Sequence, residues 1–133
     1  MIVLDASAAA ELLLDTPRGA VVARRIAAGD ETVHAPELLG IEIASVLRRM
    51  LLRGALDEGR ARRVIDELDA LGVESYPHAA LLHRVLDLRE NLTAYDALYV
   101  ALAEALDAAL VTCDAKLATA SGHGAQIEHV GDA

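Results

Sequence analysis

The chain has 133 residues, of which 54% are hydrophobic, and it carries a formal net charge of −9. We expect a single domain spanning 1–133, because this length suits one domain and this apolar content excludes a disordered chain. The acidic net charge argues against non-specific binding to nucleic acid, and three tyrosines as the only aromatic residues argue against a base-stacking platform.

The first half of the chain alternates strand and helix signals. The apolar run at 2–4 predicts a short buried strand, and Ser7 is in position to cap the helix that follows. Pro17 is predicted at the first position of a second helix, and Pro36 is predicted to open a long helix that Gly54 ends. In chain order, the predicted elements are a strand at 2–4, helices at 8–14 and 18–28, a weak strand at 32–34 and a helix at 36–53.

The second half continues this alternation, and Asp57 and Thr93 are each predicted to cap a helix. The predicted elements are helices at 58–71, 78–89, 94–106 and 115–120 and strands at 73–76, 109–112 and 126–130. Strands that alternate with helices predict an α/β fold, in which a parallel sheet is covered by helices on both faces. In such a sheet, ligands bind at the carboxyl ends of the strands, where the chain order reverses.

The compartment is indicated by what the chain lacks. One cysteine, Cys113, excludes an internal disulfide and fits a reducing compartment. The N-terminal residues meet Asp5 without a preceding basic segment, unlike a secretory signal. The most apolar long stretch, 94–113, is interrupted by three acids, which argues against a membrane span. We therefore expect a cytoplasmic protein with no membrane partner.

Two aspartates directly follow buried strands. Asp5 comes after the run at 2–4, and Asp114 comes after the run at 110–113. Because parallel strands end at the same rim of a sheet, we expect both side chains at that rim. Each aspartate also suits a helix cap or a turn, and the residues alone leave both interpretations open.

Two further acids occur in apolar helical stretches. Glu42 is predicted on a core-facing side of its helix, where an unpaired carboxylate costs several kcal/mol and needs a cation. A salt bridge to an arginine such as Arg49 would also satisfy it. Asp96 lies in the first turn of its helix, where a negative charge is favourable in its own right. The neighbours of Glu42 on its helical face are Leu38, Leu39, Ser45 and Val46.

These four acids are more informative as a set. If they converge, each pair about 5 Å apart repels by roughly 3 kcal/mol at an effective dielectric constant of about 20. Such a cluster needs compensating charge, and hard carboxylate oxygens select Mg²⁺ or Mn²⁺ over zinc. No spacing of His or Cys suggests a zinc site, and no glycine-rich loop carries the Lys-Ser/Thr of a Walker motif.

Arginines are concentrated between 43 and 63, a segment that contains six arginines and only two acids. Arg48 and Arg49 are therefore candidate contacts for RNA or for a protein partner, because guanidinium groups match phosphate and carboxylate oxygens in pairs. A solvated helix face accounts for them equally well.

Four stretches of the chain resemble the motifs of the PIN-domain family, and especially of its VapC-type toxins. The first has an acid at Asp5 with a hydroxyl at Ser7, and the second has Glu42 ahead of a pair of arginines. The third, which is the most specific, contains Asp96, and the fourth contains Asp114. In order, the stretches are Ile2–Ala8, Pro36–Arg49, Leu92–Glu104 and Leu110–Ala118.

This resemblance implies a three-layer α/β/α fold with a central parallel sheet and the activity of a metal-dependent endoribonuclease. The four acids would bind Mg²⁺ or Mn²⁺, and Ser7 and Thr112 would be supporting polar groups near the metal. A helix cap and a strand-end hydroxyl remain open for these two residues. Some members have a further acid just after the fourth motif, where this chain has Lys116, so a fifth ligand is not implied.

The resemblance to VapC-type members also implies partners. Such toxins inhibit translation by cleaving transfer or ribosomal RNA, are encoded with a VapB-type antitoxin that covers the acidic groove, and commonly form homodimers.

Three other functions use similar parts. A haloacid-dehalogenase-like, Mg²⁺-dependent phosphatase also has an aspartate after its first strand, but it needs a second aspartate where this chain has Ser7. A receiver-like binding module would need paired acids, and Lys116 alone matches it. A degenerate PIN domain that binds protein or RNA without cleaving it is disfavoured because all four acids are present.

Overall fold

A computed structural model describes residues 1–132 and contains one parallel sheet with helices packed around it. Its five strands are β1 (Ile2–Leu4), β2 (Val33–Pro36), β3 (Glu74–Tyr76), β4 (Ala109–Thr112) and β5 (Ile127–His129). Its helices are α1 (Ala6–Leu13), α2 (Pro17–Ala28), α3 (Leu38–Leu52), α4 (Glu58–Ala70), α5 (Leu82–Asp87), α6 (Ala94–Leu106) and α7 (Ala115–Thr119). A single 3₁₀ turn, Ala79–Leu81, precedes α5.

The strand order is β3-β2-β1-β4-β5, and every adjacent pair is parallel. From β1 the chain moves outward to β2 and β3, and then returns to the other side of β1 to form β4 and β5. Right-handed crossovers place α1 to α4 on one face of such a sheet and α5 to α7 on the other. Accordingly, α1 contacts α2, α3 and α4, while α5 contacts α6. The predicted α/β fold with a central parallel sheet is confirmed.

The strand order reverses at β1, which is fully buried. All three residues of β1 have no exposed surface, and β1 pairs with β2 on one side and with β4 on the other. Helix α6 packs across β1, β2 and β4, and its seven consecutive residues 97–103 are all buried. This burial explains why α6 is apolar on nearly all sides.

Two predicted helix starts were wrong. The N-cap of α1 is Asp5, whose side chain accepts a hydrogen bond from the backbone N–H of Ala8, while Ser7 lies inside the first turn. Pro36 does not open α3, because it ends β2 in register with Tyr76. The hydrogen bond to the carbonyl of Tyr76 comes from the backbone N–H of the next residue, Glu37, at 2.9 Å. A proline is tolerated at position 36 because this bond does not need the N–H that proline lacks.

Other boundaries shift by a few residues. The predicted helix at 78–89 is a 3₁₀ turn followed by the six residues of α5, whereas α6 and β4 have the predicted bounds. Thr93 and Asp57 cap α6 and α4 as predicted. Among residues 1–132, no helix is long and apolar enough to cross a membrane.

Candidate active site

A groove of about 570 Å³ opens at the carboxyl ends of β1 and β4, between α1, α3 and α6. It lies where the strand order reverses, which is the usual position of a ligand site in an open α/β sheet. Four carboxylates from four separate segments line it: Asp5, Glu42, Asp96 and Asp114.

Asp5 is held by three hydrogen bonds at the end of β1, where it is only 4% exposed. Its Oδ1 accepts from the backbone N–H of Ala8 at 2.9 Å and from the hydroxyl of Ser7 at 2.7 Å. Its Oδ2 accepts from the hydroxyl of Thr112 at 2.5 Å. The helix cap and the groove acid are therefore the same side chain, because capping α1 turns the Asp5 carboxylate toward the groove.

The hydroxyls of Ser7 and Thr112 tie the two strand ends together. They lie 3.2 Å apart, and each also accepts a hydrogen bond from the backbone after β4. Ser7 Oγ accepts from the N–H of Cys113 at 2.9 Å, and Thr112 Oγ1 accepts from the N–H of Asp114 at 3.0 Å. The backbone that carries Asp114 is thus linked to Asp5 through two hydroxyl groups.

Asp114 and Asp96 each lie at the start of a helix. Asp114 caps α7, and its Oδ1 accepts from the N–H of Lys116 at 2.9 Å. Asp96 is in the first turn of α6, and its backbone N–H donates to the capping hydroxyl of Thr93 at 3.2 Å. The side chain of Thr93 is also close enough to the Asp96 carboxylate to favour its charged form.

Glu42 comes from α3 and is half-buried. Its Oε1 accepts a hydrogen bond of 2.7 Å from the hydroxyl of Tyr99. The alternative salt bridge to Arg49 does not form among the described residues, and the Arg49 guanidinium donates instead to Ser45 Oγ at 3.2 Å. The prediction that Glu42 lies on the core-facing side was also inexact. The core-facing stripe of α3 is Leu39, Ile43 and Leu47, and Glu42 lies at its edge.

The groove disfavours negative charge on three of its acids. Burial raises the pKa of Asp5, and the charge of Asp96 raises it further, although three hydrogen bonds act in the opposite direction. Burial and then the charge of Asp96 raise the pKa of Glu42, whose hydrogen bond from Tyr99 opposes the shift. Burial and then the charge of Asp114 raise the pKa of Asp96, and a hydrogen bond from the side chain of Thr93 opposes the shift. A cation in the groove would oppose all three shifts, because it would stabilise the charged carboxylates.

The donor chemistry fits a hard divalent cation, because the acids of the groove offer carboxylate oxygens and, among residues 1–132, no His or Cys side chain lines it. The carboxylates are not assembled into a finished cage, however. Within residues 1–132, no three His, Cys, Asp or Glu side chains are grouped so that they could hold an ion as they stand.

The two candidate arginines face different grooves. Arg49 lines the acidic groove and is the only basic residue among the described residues that do so. Arg48 lines a second, more apolar groove of about 330 Å³ between α3 and α4, together with Leu51, Arg62 and Ile65. Arg48 and Arg49 therefore line different grooves, although they are consecutive in the sequence.

Two residues near the site were given no role by the sequence-based predictions. Tyr99 follows Asp96 by three residues, and this helical spacing is the signal that could have found it. Arg18 donates to the carbonyl of Cys113 at 3.3 Å and to Glu11 at 2.6 Å, so that α1 and α2 support the turn before Asp114. No local pattern in the sequence indicates that contact, because 95 residues separate Arg18 from Cys113.

Comparison with known proteins shows the family of the chain. The family model of the PIN domain matches residues 2–122. The chain is 44% identical over 130 residues to ribonuclease VapC12 of Mycobacterium tuberculosis, an alignment that covers 98% of this chain and 99% of VapC12.

Two solved structures are similar in fold. One is a chain of VapBC2 from Rickettsia felis bound to a DNA fragment from their promoter, with a TM-score of 0.71 and 15% identity over 97% of this chain and 98% of that chain. The other is VapC20 of Mycobacterium tuberculosis, described as a sarcin-ricin loop cleaving toxin, with a TM-score of 0.62 and 14% identity over 89% of this chain and 93% of that chain. By family model, sequence identity and fold together, the chain belongs to the PIN-domain family, among its VapC ribonucleases.

Proposed function

We propose that this protein is a Mg²⁺- or Mn²⁺-dependent endoribonuclease and the toxin of a VapBC-type toxin–antitoxin pair. The observation that carries the proposal is the convergence of four carboxylates from four separate segments in one groove, at the point where the strand order reverses. The chain is similar to nearly the whole of VapC12, which is named a ribonuclease, and this similarity supports the same activity.

In this proposal Asp5, Asp96 and Asp114 hold the metal, and Glu42 completes the site or helps to bind a second ion. When bound, Mg²⁺ or Mn²⁺ supplies a Lewis acid that acidifies the attacking water and neutralises charge on the phosphoryl oxygens. Hydrogen bonds from Ser7 and Thr112 restrain the Asp5 carboxylate, so that one ligand stays oriented before the metal arrives.

Water is the nucleophile in this scheme. The only thiol, Cys113, is 7% exposed, and burial raises its pKa to about 11, so it stays protonated at neutral pH. Direct attack by water on the phosphodiester leaves a 5′-phosphate on the product when the family chemistry applies.

The partners in this proposal are an RNA substrate, either tRNA or rRNA, a VapB-type antitoxin and a second copy of the chain. Arg49 is the natural contact for an RNA phosphate beside the acids, because it lines the same groove. Arg48 is a candidate contact for the antitoxin or for RNA on the neighbouring groove between α3 and α4.

A PIN domain that binds without cleaving is the second candidate. One observation favours it, because no three acidic side chains among residues 1–132 are already grouped to hold an ion. A phosphatase remains the third possibility, although Ser7 occupies the position where that mechanism needs a second aspartate.

Cleavage of tRNA and rRNA with Mn²⁺, with and without EDTA, tests the proposal. We expect Mn²⁺-dependent cutting in the wild type and a loss of at least about a hundredfold in Asp96→Asn, because a metal ligand is removed. Asp66→Asn, which removes an exposed aspartate from α4, should cut normally.

Cleavage that survives EDTA, or that Asp96→Asn leaves intact, would contradict the proposed site. RNA binding without cleavage would favour the non-catalytic domain. Hydrolysis of p-nitrophenyl phosphate without RNA cleavage would favour the phosphatase.

A further inference from the structure

Tyr99 brings a buried hydroxyl to the edge of the acidic groove. It is 1% exposed and lies on α6 between buried residues. A buried phenol needs a hydrogen-bond partner, and the partner of Tyr99 is Oε1 of Glu42, at 2.7 Å. Because Tyr99 follows Asp96 by three residues, one face of α6 presents both a carboxylate and a hydroxyl to the groove.

The environment of Glu42 favours turning its side chain out of the groove. Its side chain has several freely rotating bonds, it is half-buried, and Asp96 repels its charge. The residue before it, Ile41, is 68% exposed, so solvent is close to this part of α3. Turning outward would relieve both the repulsion and the loss of hydration. Among residues 1–132, only the Tyr99 hydroxyl hydrogen-bonds the Glu42 carboxylate and opposes that movement.

We propose that Tyr99 is a positioning residue that holds the Glu42 carboxylate inside the acidic groove, with Oε1 bound to the phenol and Oε2 left free for a cation. The role in metal binding rests on the proposed function, whereas the restraint on Glu42 does not. Among residues 1–132, the Tyr99 hydroxyl hydrogen-bonds no acid of the groove other than Glu42, so its effect on metal binding should disappear when Glu42 is absent.

A double-mutant cycle with Mn²⁺ alone tests the coupling. Mn²⁺ affinity is measured by isothermal titration calorimetry for the wild type, Tyr99→Phe, Glu42→Ala and the double variant. We expect Tyr99→Phe to weaken Mn²⁺ binding about tenfold when Glu42 is present, and to have no further effect in the Glu42→Ala chain. Equal weakening in both chains, or no weakening in either, would overturn the role in metal binding.

Tyr76→Phe is the matched control. It also removes a tyrosine hydroxyl from a hydrogen bond of 2.7 Å, in this case to His34 Nδ1, and it lies outside the groove. We expect Tyr76→Phe to leave Mn²⁺ affinity unchanged. If it weakens Mn²⁺ binding as much as Tyr99→Phe does, the effect is one of general stability and the proposal is wrong.

A measurement on the metal-free protein separates this inference from the ribonuclease proposal. Three-bond NMR couplings report whether the Glu42 side chain occupies one rotamer. We expect a single rotamer in the wild type and averaged couplings in Tyr99→Phe. Unchanged couplings would overturn the positioning role even if RNA is cleaved. The couplings could become averaged in Tyr99→Phe while the wild type neither binds Mn²⁺ nor cuts RNA. That result would support the restraint on Glu42 and reject the proposed function.

Discussion

Asp5 serves the fold and the groove with the same two oxygens. Its Oδ1 caps α1 and accepts from Ser7, and its Oδ2 accepts from Thr112. An asparagine would preserve this network, since asparagine is as good an N-cap as aspartate. The new amide would donate to Thr112 Oγ1, and the Thr112 hydroxyl would turn to donate to Ser7 Oγ, 3.2 Å away. Every polar group would keep a partner, and only the charge would be lost.

We therefore predict that metal-free Asp5→Asn melts a few degrees above the wild type at pH 7. Burial, followed by the charge of Asp96, raises the folded-state pKa of Asp5, so the folded protein binds this proton more tightly than the unfolded chain does. The resulting stability is fully present below the ordinary pKa of 3.8 and is lost as pH rises through the raised value. Glu42 and Asp96 act in the same direction.

Thermal melts from pH 3 to pH 8 in EDTA would measure this effect. The wild type should lose stability as the pH rises across the range of these carboxyl groups, and Asp5→Asn should lose less. Asp57→Asn, at the exposed cap of α4, should follow the wild-type profile. An Asp5→Asn protein that melts well below the wild type would mean that the hydrogen bonds of Asp5 outweigh the cost of its charge.

At the scale of elements, the pairing of α1 with α2 supports one wall of the site. A Cβ atom added to Gly19 on α2 would lie 2.0 Å from the backbone oxygen of Glu11 on α1, which is closer than any real contact. This close approach lets Arg18 bridge from Glu11 to the carbonyl of Cys113, beside Asp114. The glycine is needed here for space, since its backbone conformation is ordinary.

We expect Gly19→Ala to lower the free energy of unfolding by roughly 1–3 kcal/mol, because the two helices must separate to admit the methyl group. Gly40→Ala is the matched control, because Gly40 lies in α3 and a Cβ atom there meets nothing within 4 Å. That change should raise stability by about 0.5–1 kcal/mol through helix propensity. Urea unfolding measures both, and a Gly19→Ala protein as stable as the wild type would show that α2 can shift freely.

For the whole molecule, the net charge of −9 works against binding RNA, so a cation placed beside the acidic groove matters. Several arginines are engaged in ion pairs, including Arg25 with Glu128 and Arg84 with Glu104, each through two nitrogens. Arg49 makes no salt bridge among residues 1–132 and lines the acidic groove.

We predict that Arg49→Gln weakens RNA binding and makes the plot of log affinity against log salt shallower by about one unit, because one phosphate contact is lost. Binding is best measured in the Asp96→Asn background, where the RNA stays intact. Arg24→Gln removes the same charge from an exposed position on α2 and should change the slope little. If the two variants behave alike, Arg49 contributes only to the overall charge.

Much of the architecture could be predicted from local sequence. Periodicity and capping patterns correctly predicted the strand at 2–4, the bounds of α6 and β4, and the caps Asp57 and Thr93. Each of these features depends on a few neighbouring residues. The order of these elements was enough to predict a parallel sheet with helices around it. Local reasoning was wrong at Pro36. It predicted the start of a helix there, but pairing with β3 extends β2 through this residue.

The arrangement of the site was decided by tertiary structure. That an acid follows β1 and another follows β4 is visible in the sequence, but the hydrogen bond between Thr112 and Asp5 joins residues 107 positions apart. The bond from Tyr99 to Glu42 spans 57 positions and depends on how α3 and α6 pack, as does the separation of Arg48 from Arg49. Local patterns determine where a helix or strand begins and which residues it carries. Only the packing of distant elements decides which of those side chains share one groove.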